Sequence, residues 1–98
     1  MNVERKNHDV WVTVDKLNVP LKITPQLART VAKGLKDVVR EGGNKRWSWG
    51  KYRLAVSVNG NRAVVSFHDS IYYECSLDDV RGLIAALNAH SLGVKERA

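Results

Sequence analysis

Tyr52-Arg53-Leu54-Ala55-Val56-Ser57-Val58-Asn59-Gly60-Asn61-Arg62-Ala63-Val64-Val65-Ser66-Phe67 is the stretch on which the fold turns. Asn59-Gly60 stands between two runs that alternate apolar and polar, the strongest short-range mark of a two-residue β-hairpin. Setting Val58 opposite Asn61 places Val56 across from Ala63, Leu54 across from Val65 and Tyr52 across from Phe67. One face of the hairpin is then apolar, and the other carries Arg53, Ala55, Ser57, Arg62, Val64 and Ser66. Because strand side chains alternate between faces, a register that sorts them this well is the expected one.

Working toward the C-terminus, His68-Asp69-Ser70 reads as a turn and Ile71 to Cys75 as a third strand of the meander. Ser76-Leu77-Asp78-Asp79 has the spacing of a capping box, with Asp in place of the usual Glu. Leu77, Val80, Leu83, Ile84 and Leu87 then form the apolar stripe of a helix that ends near His90, with Gly93 as its stop. Toward the N-terminus, Gly42-Gly43 closes an earlier helix that Thr24 caps and Pro25 starts, since proline at the first helical position loses no hydrogen bond. Leu27, Val31, Leu35 and Val38 are its stripe, widened by Ala28, Ala32 and Val39. Before it, Val10, Val12 and Val14 alternate with Trp11 and Thr13, and Val19, Leu21 and Ile23 alternate after a turn at Lys16-Leu17-Asn18. Pro20 removes a ladder donor, which assigns that second strand to a sheet edge.

The expected fold is therefore α+β in the order β-β-α-β-β-β-α, an antiparallel sheet with two helices packed on one face. Residues 8–92 make one domain, and residues 1–7 and 93–98 read as flexible termini. Ninety-eight residues suit a single domain, and a chain so short leaves enough surface exposed that oligomerisation would help it. Hydrophobic residues at 44% and charged residues at 27% exclude an intrinsically disordered chain. No apolar run approaches the roughly 20 residues of a membrane span, and the charged start, Met1 to Lys6, is not a secretory signal. The single cysteine, Cys75, excludes an internal disulfide, so the cytoplasm is the expected compartment.

Chemistry is sparse. The chain contains no glycine-rich phosphate loop, no paired-cysteine spacing and no helical His-x-x-x-His pair. His68, Asp69 and Cys75 lie close in sequence, but Cys75 shares the alternation of Ile71 and Tyr73, which makes it a small packed residue. No catalytic, cofactor-binding or metal-binding residue is assigned, and the expectation is that the protein is not an enzyme.

Two basic features point to binding. Residues 1–62 hold 13 Lys/Arg against 5 Asp/Glu, whereas residues 63–98 hold 3 against 5, so an anionic partner would be steered to one part of the surface. At about 100° per residue, Arg29, Lys33, Lys36 and Arg40 fall on the outer face of the first helix. They form a line on the order of 16 Å long at about 1.5 Å per residue. The second feature is Asn44-Lys45-Arg46-Trp47-Ser48-Trp49-Gly50-Lys51-Tyr52-Arg53, with four basic residues, three aromatics and no acid. If the strand runs through Gly50 unbroken, Trp47, Trp49, Lys51 and Arg53 point together from the uncovered sheet face and could stack on unpaired bases. If Gly50 makes a bulge, one indole turns inward and closes the core instead.

From Pro25 to His90 the order helix, three-strand meander, helix resembles that of double-stranded-RNA-binding domains. Those domains carry a basic cluster at the start of their second helix, where this sequence reads Ser76-Leu77-Asp78-Asp79. The resemblance stops at the order of elements, and no family membership follows from it.

The leading expectation is a small nucleic-acid-binding module that uses Arg29, Lys33, Lys36 and Arg40 with Lys45, Arg46, Trp47, Trp49, Lys51 and Arg53. The alternative is a protein-interaction module. It would be a small inhibitor or regulator docking on an acidic protein surface, or a homodimer, because Trp and Arg are also the residue types of interface hot spots.

Overall fold

A computed structural model describes residues 2–6, 8–13, 20–69 and 71–97, the side chains of 92–97 excepted. Three strands come first, β1 (Asn2–Lys6), β2 (Asp9–Thr13) and β3 (Leu21–Ile23), followed by helix α1 (Pro25–Glu41). Four more strands, β4 (Gly43–Trp49), β5 (Tyr52–Asn59), β6 (Arg62–Phe67) and β7 (Ile71–Ser76), precede helix α2 (Leu77–Arg97). All pairings are antiparallel, in two sheets ordered β1-β2-β3 and β4-β5-β6-β7. The α+β class, the antiparallel ladders and the two helices on one side of the meander are as the sequence predicts. The division into two sheets is not in the sequence pattern.

Local signals set the helix ends. The Thr24 hydroxyl accepts from the Leu27 amide at 3.2 Å, with Pro25 behind it. Gly42 closes α1 at φ +79° while its amide donates to the Val38 carbonyl at 2.7 Å. Ser76 and Asp79 form the expected reciprocal capping box, amide to side chain in both directions at 3.1 and 3.2 Å. The helix it starts does not stop near His90. It runs through Gly93 to Arg97, because a lone glycine weakens a helix by about 1 kcal/mol without ending it.

The central hairpin keeps the expected faces in a different register. Asn59 pairs with Arg62, Val58 with Ala63, Val56 with Val65 and Leu54 with Phe67, so the two turn residues are Gly60 and Asn61. Gly60 takes φ +61°, as glycine does at the first turn position of a hairpin, and this draws the turn one residue along the chain. The register moves by two, an even number, so every side chain stays on its face. Leu54, Val56, Val58, Ala63, Val65, Phe67 and Cys75 are buried against the helices. Val10, Val12, Leu21 and Ile23 of the smaller sheet join the same core.

Residues 1–7, expected to fray, include β1, whose Asn2–Lys6 pair residue by residue with Thr13–Asp9. Its only apolar side chain is Val3, set beside Val12, so the run has no alternation to read. The Arg5 guanidinium donates to the His90 carbonyl at 3.0 Å and ties β1 to the second half of α2. Pro20 precedes β3, which is indeed an edge strand. The expected turn at Lys16-Leu17-Asn18, with Val14 and Val19, lies outside the described residues. Among the described residues no helix is long and apolar enough to cross a membrane.

Candidate functional site

The Trp/Arg platform does not form, and the reason is a second hairpin. Gly50-Lys51 is a two-residue turn with Gly50 at φ +54°, and Trp49 pairs with Tyr52, Trp47 with Leu54 and Ser48 with Arg53. Trp47 and Trp49 thus share the inner face with Tyr52 and Leu54, while Arg53 lies on the outer face. Lys51 sits in the turn, its ammonium 5.7 Å from the centre of the Tyr52 ring. The four residues expected side by side are divided between a turn and two faces.

Each indole has a structural task. The Trp49 Nε1 donates to the Lys22 carbonyl of β3 at 2.9 Å, linking the two sheets, and the ring stacks on Tyr52 at 5.8 Å. Trp47 lies on α1 at Gly34, where a Cβ would come 2.5 Å from the ring atom Cζ2. Lys45 packs its stem there too, with Nζ 3.9 Å from Asp37. The signal for this contact is Gly34 itself, a glycine inside a helical pattern, which usually has a packing reason. Substitution at two glycines tests the contact with opposite signs. Gly34→Ala gains up to about 1 kcal/mol of helix propensity but overpacks against a rigid ring at about 1–3 kcal/mol, for a net loss near 1 kcal/mol. Gly82→Ala on α2, with nothing within 4 Å of the new Cβ, gains about 0.5–1 kcal/mol. Urea midpoints at unchanged slope report both.

The helix row survives in part. Arg29, Lys33 and Lys36 lie exposed on the side of α1 away from Gly34 and Trp47. With Gln26, Thr30, Ala32 and, from α2, Asn88, they line an open groove of about 440 Å³ that contains no acidic residue. None of the three cations forms an ion pair or a side-chain hydrogen bond with a described residue. Arg40, the end of the row, differs: its guanidinium lies 2.9 Å from Glu41 and 3.1 Å from Asp37. The Glu41 hydrogen bond and the two negative charges raise its pKa, and its charge is shared with those carboxylates.

On the opposite side of the molecule is the outer face of the larger sheet. One cross-strand row reads Arg46, Ala55, Ser66, Tyr72 and the next reads Asn44, Ser57, Val64, Glu74. Small residues on the two central strands make a shallow trough of about 350 Å³ between Arg46 and Tyr72. Arg53 closes one end, donating to the carbonyls of Gly50 and Tyr52 at 3.3 and 3.1 Å and lying 3.9 Å from Asp69. Asp69 and His68 hold the β6–β7 turn at φ +61° and +57°, the left-handed region. Tyr72, absent from the expected site, is the one exposed large hydrophobic among the described residues, at 70%.

The nucleophile considered from sequence is inert in this setting. Cys75 is 3% exposed on the inner face of β7, and burial, then the charge of Asp79, push its thiol above the ordinary range. The raised value means a stabilising contribution that is complete below the unfolded thiol pKa, about 8.5, and is lost as pH rises through the folded value. Native protein should therefore react with iodoacetamide at neutral pH about tenfold or more slower than protein unfolded in urea. A Cys75→Ala variant should lose part of the alkaline decline in stability, and urea titrations across pH would show it. Among the described residues no group of His, Cys, Asp or Glu is placed to hold a metal ion.

Comparison with family models, curated proteins and solved structures finds none that matches this chain. The resemblance in element order to double-stranded-RNA-binding domains also weakens, because four strands rather than three separate the helices.

Proposed function

We propose that the protein is a small, non-enzymatic binding module that grips the phosphate backbone of a nucleic acid in the groove between α1 and α2. Arg29, Lys33 and Lys36 are the contacts. One observation carries the reading: three cations in line along an acid-free groove, none neutralised by a neighbour among the described residues. Unpaired like charges at helical spacing repel one another mildly, a cost that a bound polyanion would turn into attraction. Arg40 extends the row weakly. Lys45, Trp47, Trp49 and Lys51 do not contribute, and Arg46 and Arg53 face away from it. The groove is lined by phosphate-binding side chains and lacks a base-reading arrangement, so binding should be indifferent to base sequence. The buried, unpaired Cys75 suits a reducing compartment, and we place the activity in the cytoplasm.

Fluorescence anisotropy with labelled single- and double-stranded oligonucleotides, repeated between about 50 and about 200 mM salt, tests this. Three phosphate contacts predict that log K falls with log salt at a slope of about −2 to −3. Affinity that ignores salt overturns the reading. No binding of DNA or RNA at the lowest salt overturns it too, and leaves an acidic protein surface as the partner this row would select.

A further inference from the structure

We propose that β7 is a self-association edge, through which two copies join their larger sheets into one of eight strands. The proposal does not rest on the nucleic-acid reading. It begins with the outer strands of the two sheets, which are protected unequally. Backbone groups on an open edge invite another strand, and proteins guard such edges with charges, proline or cover. β1 has the sequence Asn-Val-Glu-Arg-Lys, β3 follows Pro20 and has its Lys22 carbonyl capped by Trp49, and β4 carries Lys45 and Arg46. Lys45 points to the inner face, a placement that discourages pairing.

β7 has a single charge, Glu74, as its protection. Among the described residues Ile-Tyr-Tyr-Glu-Cys-Ser has a ladder on one side only, with β6, and it contains no proline, lysine or arginine. Tyr72 stands exposed on its outer face, and Ile71 and Tyr73 are half-buried on its inner face. Apolar surface therefore flanks the free backbone groups above and below the sheet.

The occupant that fits is a second copy. A twofold axis normal to the sheet sets β7 antiparallel to itself and keeps outer faces together. Centred on Tyr73, the pairing places Tyr73 on Tyr73, Ile71 on Cys75 of the other copy, and Tyr72 on Glu74 of the other copy, twice. The phenol can donate to the carboxylate, and no like charges meet. Sliding by two residues one way sets Glu74 against Glu74, which cross-strand electrostatics disfavours. Sliding the other way pairs only residues 71–73. One register satisfies both charge and length. The same axis leaves both α1–α2 grooves on one side of the dimer, so a nucleic acid long enough to reach both would be held at two points.

Sedimentation equilibrium of the full chain without nucleic acid tests the proposal apart from the binding reading. Wild type should rise from 11.0 kDa toward twice that mass with concentration in the micromolar range. Tyr72→Glu, on an exposed position away from the core, should weaken the dimer at least tenfold by facing Glu74 twice with a like charge. Adding Glu74→Lys to it should restore the dimer through two opposite-charge pairs. A wild type that stays at 11.0 kDa throughout overturns the proposal. So does a dimer that tolerates Tyr72→Glu, or one that the charge swap fails to rescue while circular dichroism shows all variants folded.

Discussion

Phe67→Ala should cost about 3–5 kcal/mol, the range for truncating a buried aromatic, while its neighbour Ser66→Ala should change stability by no more than about 0.5 kcal/mol. Phe67 is fully buried, between Leu54 on β5 and Ile71 on β7, on the sheet face the helices cover. Ser66 is one residue away, on the open face between Ala55 and Tyr72. A domain of this size is stable by roughly 5–15 kcal/mol in total, so the Phe67 loss is a large fraction of it. At about 4–8 °C per kcal/mol, the melting point should fall by about 12–40 °C. Thermal unfolding followed by circular dichroism measures both variants. Similar losses at the two positions would mean that the hairpin register, and with it the assignment of faces, is incorrect.

Lys33→Glu combined with Lys36→Glu should reduce affinity for an oligonucleotide on the order of 100-fold at low salt while leaving the fold intact. Both side chains are exposed and unpaired among the described residues, so the substitution takes no partner from the folded state. At a phosphate the exchange replaces attraction by repulsion. At contact in water each such term is about 1 kcal/mol, which gives about 4 kcal/mol for two reversals before salt screens part of it. Arg40→Ala should do little by comparison, since Asp37 and Glu41 already share that charge. Arg46→Glu, on the opposite side of the molecule, should leave binding in the groove unchanged. Anisotropy titrations of the three variants distinguish a local footprint from a general effect of net charge. If Arg46→Glu weakens binding as much as the helix pair, the α1 groove is not the contact.

The features legible in the chain are those whose physics is local. Thr24-Pro25 before an apolar stripe, Gly42 after it, and Ser76 with Asp79 each satisfy backbone groups within a few residues, so sequence spacing suffices to place them. The apolar and polar faces of β5 and β6 were legible because alternation survives a register shift of two. The exposed row on α1 followed from helical spacing alone.

What the chain could not announce depends on partners far along it. Gly50-Lys51 becomes a turn because Trp47 is held against Gly34 and Trp49 reaches the Lys22 carbonyl, contacts 13 and 27 residues apart in sequence. Read in one dimension, the same residues fit equally a single long strand with its indoles facing water. β1 is a strand because Asp9–Thr13 offers it a ladder, which a run of mostly charged residues does not suggest. Arg40's carboxylates, Asp37 and Glu41, lie three and one residues away and are local, but that Arg29 borders a groove shared with Asn88 of α2 is visible only in the folded arrangement. Periodicity tells which side of an element is apolar. Which surface covers that side is set by packing between elements, where burial outweighs local preference.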